Sequence, residues 1–291
     1  MGAARGIPPI RGKERRANGD GPEVLQVTKS SPLLADAEMA TLRRRMFAKP
    51  PETSGVERVG RFDVRINDGP NFYILCKDLF VKRCYHFEAR RPAPIILDGG
   101  GNIGMSVLYF KSVYPDARIT TFEPDQAVLP LLKENLARNK LSDVRIVEAA
   151  LSVRSGPAEF HGDGQYGGSL AEQTSPDLAD AASPYPVECV RLRDYLAEPI
   201  DFLKLNIEGA EWEVLADSED RLCNVPEMVV EYHHLPGLPR TLHKILDLLD
   251  RCGFEYLIND FDDETNPGSR PPFRLTSGTR YFLLVYARRR Q

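Results

Sequence analysis

The sequence of 291 residues lacks several features that would place it in a class at once. Its five cysteines are odd in number, lie far apart and form no C-x-x-C pair, which argues against a zinc site and a disulfide framework. No stretch approaches the about 18 consecutive apolar residues of a membrane span. The net charge of −4 gives no whole-chain argument for binding nucleic acid or an anionic membrane. We therefore expect a cytoplasmic protein that binds neither nucleic acid nor a membrane.

The chain divides by composition into a tail, a cap region and a main domain. Residues 1–30 are rich in Gly, Pro, Arg and Lys, have no apolar core typical of a secretory signal, and are predicted to be disordered. Residues 31–90 form the predicted cap region, which contains a short amphipathic helix marked by Met39, Leu42 and Met46. This helix could pack across the main domain, or it could form a lid or a homodimer contact, and the sequence leaves both open.

Residues 91–291 alternate between strand and helix patterns. The predicted strands are Pro94–Leu97, Arg118–Phe122, Val144–Val147, Phe202–Ile207 and Met228–Tyr232. Strands separated by helices predict a doubly wound, mostly parallel α/β sheet. Phe254–Ile258 and Tyr281–Tyr286 could close one edge of this sheet as an antiparallel pair.

A glycine cluster, ILDGGGNIG, follows the first of these strands between Ile96 and Gly104. Its spacing fits both a dinucleotide loop, G-x-G-x-x-G, and the pattern D-x-G-x-N-x-G. A dinucleotide would place a pyrophosphate beside Asp98, where like charges repel. No G-K-[ST] sequence follows the cluster, so a P-loop is excluded.

S-adenosylmethionine has no phosphate and carries a cationic sulfonium and an ammonium group, which Asp98 could face. The next strand ends at Glu123, which is suitably placed to accept hydrogen bonds from ribose hydroxyls, although nicotinamide sites also use such an acid. The third strand is followed by Glu148 and Ala149, which we expect near the adenine. A nicotinamide-dependent oxidoreductase is the less favoured alternative.

Several separated motifs resemble the FkbM-type methyltransferase family. They are the glycine cluster followed by FEPD, then YGGSL, DFLKLNIEGAEWEVL and VVEYHHL. The resemblance covers residues 60–235 and implies a Rossmann-like class I methyltransferase fold with a seven-stranded sheet, an antiparallel C-terminal edge strand and an N-terminal cap. It also implies methyl transfer from S-adenosylmethionine, giving S-adenosylhomocysteine, to a hydroxyl of a natural product or saccharide.

The resemblance and the residue chemistry together give a set of expected site residues. The donor is expected at Asp98, Gly100, Gly101, Asn102, Gly104, Glu123, Pro124, Glu148, Ala149 and Ser169, and the chemistry at Lys204, Asn206, Glu208, Glu231 and His233. Histidine has the ordinary pKa best suited to removing a proton near neutrality, so His233 is a candidate general base.

Asn206 departs from the family pattern K-[IL]-D-[IV]-E-G-x-E, in which an aspartate stands at this place. An amide cannot act as a base, so a protein that binds the donor without catalysis stays an alternative. For the same reason we expect no metal dependence.

Overall fold

The computed structural model describes residues 32–48, 50–162, 167–174, 183–259 and 279–290. The predicted disordered tail at residues 1–30 lies outside these ranges, as does Tyr166 of the YGGSL motif. Much of the polar stretch between residues 162 and 185 is also outside them. Within the described ranges, no helix is long and apolar enough to cross a bilayer.

The cap region precedes the main domain. It contains helix α1 (Asp36–Phe47), strands β1 (Gly55–Val59) and β2 (Phe62–Ile66) in an antiparallel hairpin, and helix α2 (Gly69–Cys76), which continues into a π-helical turn, Lys77–Val81. The three residues that predicted α1 are its buried face: Met39, Leu42 and Met46. The helix packs against α2 and belongs to the main apolar core.

The described residues form a seven-stranded main sheet. Its strands are β3 (Ile95–Gly99), β4 (Arg118–Phe122), β5 (Arg145–Val147), β10 (Phe202–Leu205), β11 (Glu227–His234), β12 (Phe254–Asn259) and β13 (Tyr281–Arg289). Their order is β12-β13-β11-β10-β3-β4-β5. The five strands from β11 to β5 are parallel to one another, which confirms the predicted doubly wound α/β fold. The antiparallel strand, β13, lies second from the edge rather than at the edge, because β12 pairs with its outer side.

Both faces of this sheet are covered. The helices are α3 (Met105–Val113), α4 (Leu129–Arg138), α5 (Leu192–Tyr195), α6 (Glu211–Asp217) and α7 (Leu242–Arg251). Successive strand residues join different apolar clusters: Ile96 packs with the cap, α3 and α4, whereas Leu97 packs with α5, α6 and α7. This alternation follows from side chains pointing to opposite faces of a strand. The carboxyl ends of the parallel strands are therefore the accessible edge, where ligands bind in such sheets.

A second, four-stranded sheet was not predicted from the sequence. It consists of β6 (Ala149–Ser152), β7 (Gly156–Gly162), β8 (Gly168–Leu170) and β9 (Tyr185–Arg191) in the order β6-β9-β7-β8. Its strands are short and are separated by polar, glycine-rich segments. Their alternation of apolar and polar residues is therefore too weak to predict them. The buried residues Phe160, Val187 and Cys189 form its own small core. The sheet brings Ala149 and Ser169 to the wall of the main cavity.

Candidate active site

The glycine loop joins the end of β3 to the start of α3. Gly100 has φ +83°, and a Cβ atom there would lie 1.9 Å from the carbonyl oxygen of Asn206. A Cβ atom on Gly101 would lie 2.2 Å from Thr121 Oγ1. The backbone N–H groups of both glycines donate to the carbonyl of Phe122, at 3.0 and 2.8 Å. Glycine is required here because the loop lies between the ends of β4 and β10.

Asp98 lies behind this loop rather than in the cavity. Its side chain is fully buried, and Oδ2 accepts hydrogen bonds from Ser106 Oγ at 2.7 Å and Thr121 Oγ1 at 2.9 Å. Its Oδ1 lies 3.1 Å from Lys204 Nζ. Asp98 is not among the residues that line the cavity, so any direct contact of Asp98 with the donor stays a prediction. The counter-charge that Asp98 meets belongs to the protein.

Lys204 anchors the loop from the neighbouring strand β10. Its Nζ donates to the carbonyl oxygens of Gly99 and Gly100 at 2.9 and 2.6 Å. The register of β10 against β3 places Lys204 directly beside Asp98. The lysine thus fixes the shape of the loop, and Asp98 supplies its buried counter-ion.

Glu123, at the end of β4, does line the cavity, together with Pro124. Its Oε2 accepts the N–H of Asn102 at 2.7 Å and its Oε1 accepts the N–H of Asp125 at 2.8 Å. Burial raises the pKa of Glu123 to about 7, against the lowering effect of these two hydrogen bonds. Each carboxylate oxygen has a second lone pair, so Glu123 can still accept hydrogen bonds from a ligand.

Four other residues expected at the donor site have different outcomes. Ala149 and Ser169 line the cavity, and Ser169 Oγ lies 3.0 Å from Thr174 Oγ1. Glu148 does not line it: its side chain is 54% exposed and pairs with Lys133 at 2.6 Å. Its expected place near an adenine ring stays a prediction. Gly104 (φ +94°) precedes α3 and packs on Leu132 rather than lining the cavity.

His233 stands among three carboxylates at the ends of β10 and β11. Its Nδ1 lies 3.0 Å from Glu211 Oε1, and its Nε2 lies 3.5 Å from Glu208 Oε1 and 3.6 Å from Glu231 Oε1. As the alternation along β11 predicts, Glu231 and His233 share one side of the strand. Glu208 has φ +53°, a conformation that non-glycine residues rarely adopt and that is enriched at functional sites.

These contacts decide the charge of the histidine. Burial alone lowers the pKa of His233, but the carboxylates of Glu208 and Glu211 outweigh that effect and raise it to about 10. His233 is therefore an imidazolium at neutral pH and has no free lone pair with which to accept a proton. This charge disfavours His233 as a general base near neutrality, and its catalytic role stays a prediction.

Glu208, rather than His233, has a pKa near neutrality. Burial raises the pKa of Glu208 to about 7, with the charge of Glu231 acting in the same direction and that of His233 opposing it. Of the three carboxylate side chains, that of Glu208 is the most accessible, at 23%, compared with 11% for Glu231 and 1% for Glu211.

Glu211, which was not among the predicted site residues, fixes the position of the carboxylate cluster formed by Glu208, Glu211 and Glu231 around His233. Besides His233, it accepts the backbone N–H groups of Ile207 and Gly209, each at 3.2 Å, and so holds the turn that carries Glu208. The E-G-x-E spacing was the signal available in the sequence, but it does not reveal which carboxylate is internal.

Asn206 lines the same cavity, and its backbone N–H donates to the carbonyl of Gly99 at 3.1 Å.

The cavity has a volume of about 490 Å³, within the range of small-molecule sites. Its lining includes Gly100, Gly101, Asn102, Glu123, Pro124, Ala149, Ser169, Lys204, Asn206, Glu208, Glu231 and His233. The glycine loop and the carboxylate cluster thus open into one space. Among the described residues, no group of three or more His, Cys, Asp or Glu is arranged to hold a metal ion.

Comparison with known proteins gives a family match over this region. The family described as the methyltransferase FkbM domain matches residues 98–256. Methyltransferase sdnD of Sordaria araneosa is 28% identical, over 68% of this chain and 87% of that protein. The 31-O-demethyl-FK506 methyltransferase FkbM of Streptomyces tacrolimicus is 29% identical, over 62% of this chain and 80% of that protein. The 2-O-methyltransferase NoeI of Sinorhizobium fredii is 32% identical, over 55% of this chain and 72% of that protein.

Proposed function

This chain belongs to the FkbM methyltransferase family, and we propose that it transfers a methyl group from S-adenosylmethionine to a hydroxyl of a small natural product or saccharide. The names of two relatives, a 31-O-demethyl-FK506 methyltransferase and a 2-O-methyltransferase, support transfer to oxygen. The observation that carries the proposal is that Glu123, Glu208 and His233 line one cavity. Donor and acceptor can therefore meet there.

The residues present fit S-adenosylmethionine. Gly100 and Gly101 leave the loop without side chains, so the backbone can approach the methionine part closely. Glu123 offers lone pairs for ribose hydroxyls, and the small side chain of Ala149 leaves room for the adenine. The carboxylates of Glu208 and Glu231 favour a cationic donor in the same space. When bound, S-adenosylmethionine supplies a methyl group already activated by its sulfonium.

The contribution of the protein to the chemistry is alignment and proton removal. Glu208 is our candidate general base, because it is the accessible carboxylate of the cluster and its pKa, about 7, lies near the working pH. Glu208 would take up the proton of the acceptor hydroxyl as its oxygen becomes methylated, and a bound donor would supply the methyl group and keep the electrons of its broken carbon–sulfur bond. His233 stays protonated and holds the three carboxylates together.

The test is formation of S-adenosylhomocysteine, followed by mass spectrometry, across a panel of hydroxyl-bearing macrolides, cyclic peptides and saccharides. We expect a stoichiometric methylated product with at least one class, and its loss in Glu208→Gln. Donor binding with no product from any member of the panel would contradict the proposal.

A further inference from the structure

Tyr85 connects the cap region to the carboxylate cluster. Its ring is buried, lies 6.5 Å from that of Phe110 in a stacked arrangement, and has Lys204 Nζ 5.6 Å from its centroid. Its hydroxyl donates a hydrogen bond of 2.9 Å to Glu231 Oε2. The other oxygen of Glu231 faces the His233 imidazolium at 3.6 Å. The cap thus supplies a donor to one particular carboxylate of the three.

We propose that Tyr85 is a positioning residue: its hydroxyl holds Glu231 ionised against the imidazolium, so that Glu208 is the carboxylate that receives the acceptor's proton. This inference rests on the proposed function, since it assigns the order in which two carboxylates of that site take up protons.

The geometry distinguishes the two carboxylates. A hydrogen bond to the charged form of a carboxylate stabilises that form, and Glu231 receives one from Tyr85 in addition to facing His233. The exposed fraction of the Glu208 side chain, 23%, is about twice that of Glu231, 11%. Burial raises the pKa of both, and the pKa of Glu231 is lowered in turn by the charge of His233 and, to a smaller extent, by the Tyr85 hydroxyl. Glu231 is thereby kept as a fixed negative charge, and this charge raises the pKa of Glu208.

Removal of the hydroxyl should therefore shift the two groups in opposite directions. Without its hydrogen bond, Glu231 takes up a proton at higher pH. The lost negative charge then makes Glu208 release its proton at lower pH. The other charged and titratable groups that face this pair are Cys84 from the cap, Lys204 from β10, Glu211 from α6, His233 from β11, Tyr286 from β13 and Arg280 beside β13. None of these is altered by Tyr85→Phe.

The test is a carbon-13 NMR titration of the glutamate carboxyl groups in the full-length protein, without donor or acceptor. Glu208→Gln and Glu231→Gln assign the two signals. In Tyr85→Phe we expect the midpoint of Glu231 to rise and that of Glu208 to fall, each by about half a pH unit or more. Tyr109→Phe is the matched control, because Tyr109 is also buried and also packs on Phe110, and it should move neither midpoint.

Unchanged midpoints in a folded Tyr85→Phe protein, or a shift of both in the same direction, would overturn the proposal. If this variant does not fold, a titration of the wild type with carbon-13-labelled tyrosine tests the proposal instead. The Tyr85 hydroxyl-bearing carbon should titrate with Glu231 and lose this step in Glu231→Gln, and the absence of that step in the wild type overturns the proposal. Because no ligand is present, these outcomes are independent of whether S-adenosylhomocysteine is formed.

Discussion

The Nζ atom of Lys204 lies 3.1 Å from Oδ1 of Asp98, and both side chains are almost completely buried. The same ammonium group donates to the carbonyls of Gly99 and Gly100. The acidic residue of the glycine motif therefore acts on the glycine loop through a lysine of the adjacent strand. Removing one member of such a pair strongly destabilises the folded protein, because the remaining buried charge is left without compensation.

The first prediction concerns this pair. Asp98→Asn and Lys204→Met should each lower the free energy of unfolding by about 3–5 kcal/mol, whereas the double variant should lose less than the sum. Denaturant unfolding measures all three. Glu148→Gln, which breaks the exposed pair with Lys133, should cost less than about 1 kcal/mol. Additive losses in the double variant would show that the two charges do not depend on each other.

The second prediction concerns the glycine loop. In Gly100→Ala the new methyl group would overlap the Asn206 carbonyl, so we expect donor binding to weaken by more than about tenfold. Gly253→Ala is the control, since Gly253 also has a positive φ of +77° but no atom within 4 Å of its Cβ position. It should lose about 1–2 kcal/mol of stability and keep its donor affinity. Calorimetry with S-adenosylmethionine compares the two, and equal donor affinities would contradict the close approach at Gly100.

The third prediction concerns the pH dependence of turnover. Glu208 must be ionised to accept a proton, so the rate should rise as pH increases through about 7, and it should fall again as His233 loses its proton near pH 10. Glu208→Gln should lower turnover by about 10²–10⁴-fold and remove the acid limb. Initial rates between pH 5 and 10 measure both effects. An acid limb that persists in this variant would assign the base elsewhere.

The fourth prediction concerns stability and the charge of His233. A histidine whose pKa is raised on folding contributes stability that is present below its unfolded pKa of 6.5 and is lost as pH rises towards 10. The contribution can change by at most about 1.4 kcal/mol per pH unit. Between pH 7 and 10, the wild type should therefore lose more stability than His233→Gln. The exposed His243→Gln should follow the wild type, and parallel curves for all three proteins would show that His233 is not held as an imidazolium.

The order of strands and helices could be predicted because each element carries its own periodicity. The pairing of β12 with β13 and the shared side of Glu231 and His233 followed from the same local patterns. The Asp98–Lys204 pair did not, because the two residues are more than one hundred positions apart and meet only through the register of β10 on β3. The charge of His233 depends on the same kind of information, since Glu208 and Glu211 approach it from a different strand end. The second sheet was missed because its short strands lie among polar, glycine-rich segments.

The most direct test of the account is titration calorimetry of S-adenosylmethionine with a matched pair of variants, Glu123→Gln and Glu148→Gln. Glu123 lines the cavity and accepts two backbone N–H groups. In Glu123→Gln the side-chain NH₂ group would face one of these N–H donors and could not accept its hydrogen bond. Glu148 lies outside the cavity. The wild type should bind the donor, Glu123→Gln should bind it about tenfold more weakly or worse, and Glu148→Gln should match the wild type. Wild-type affinity in Glu123→Gln, or a folded wild type that does not bind, would contradict the account.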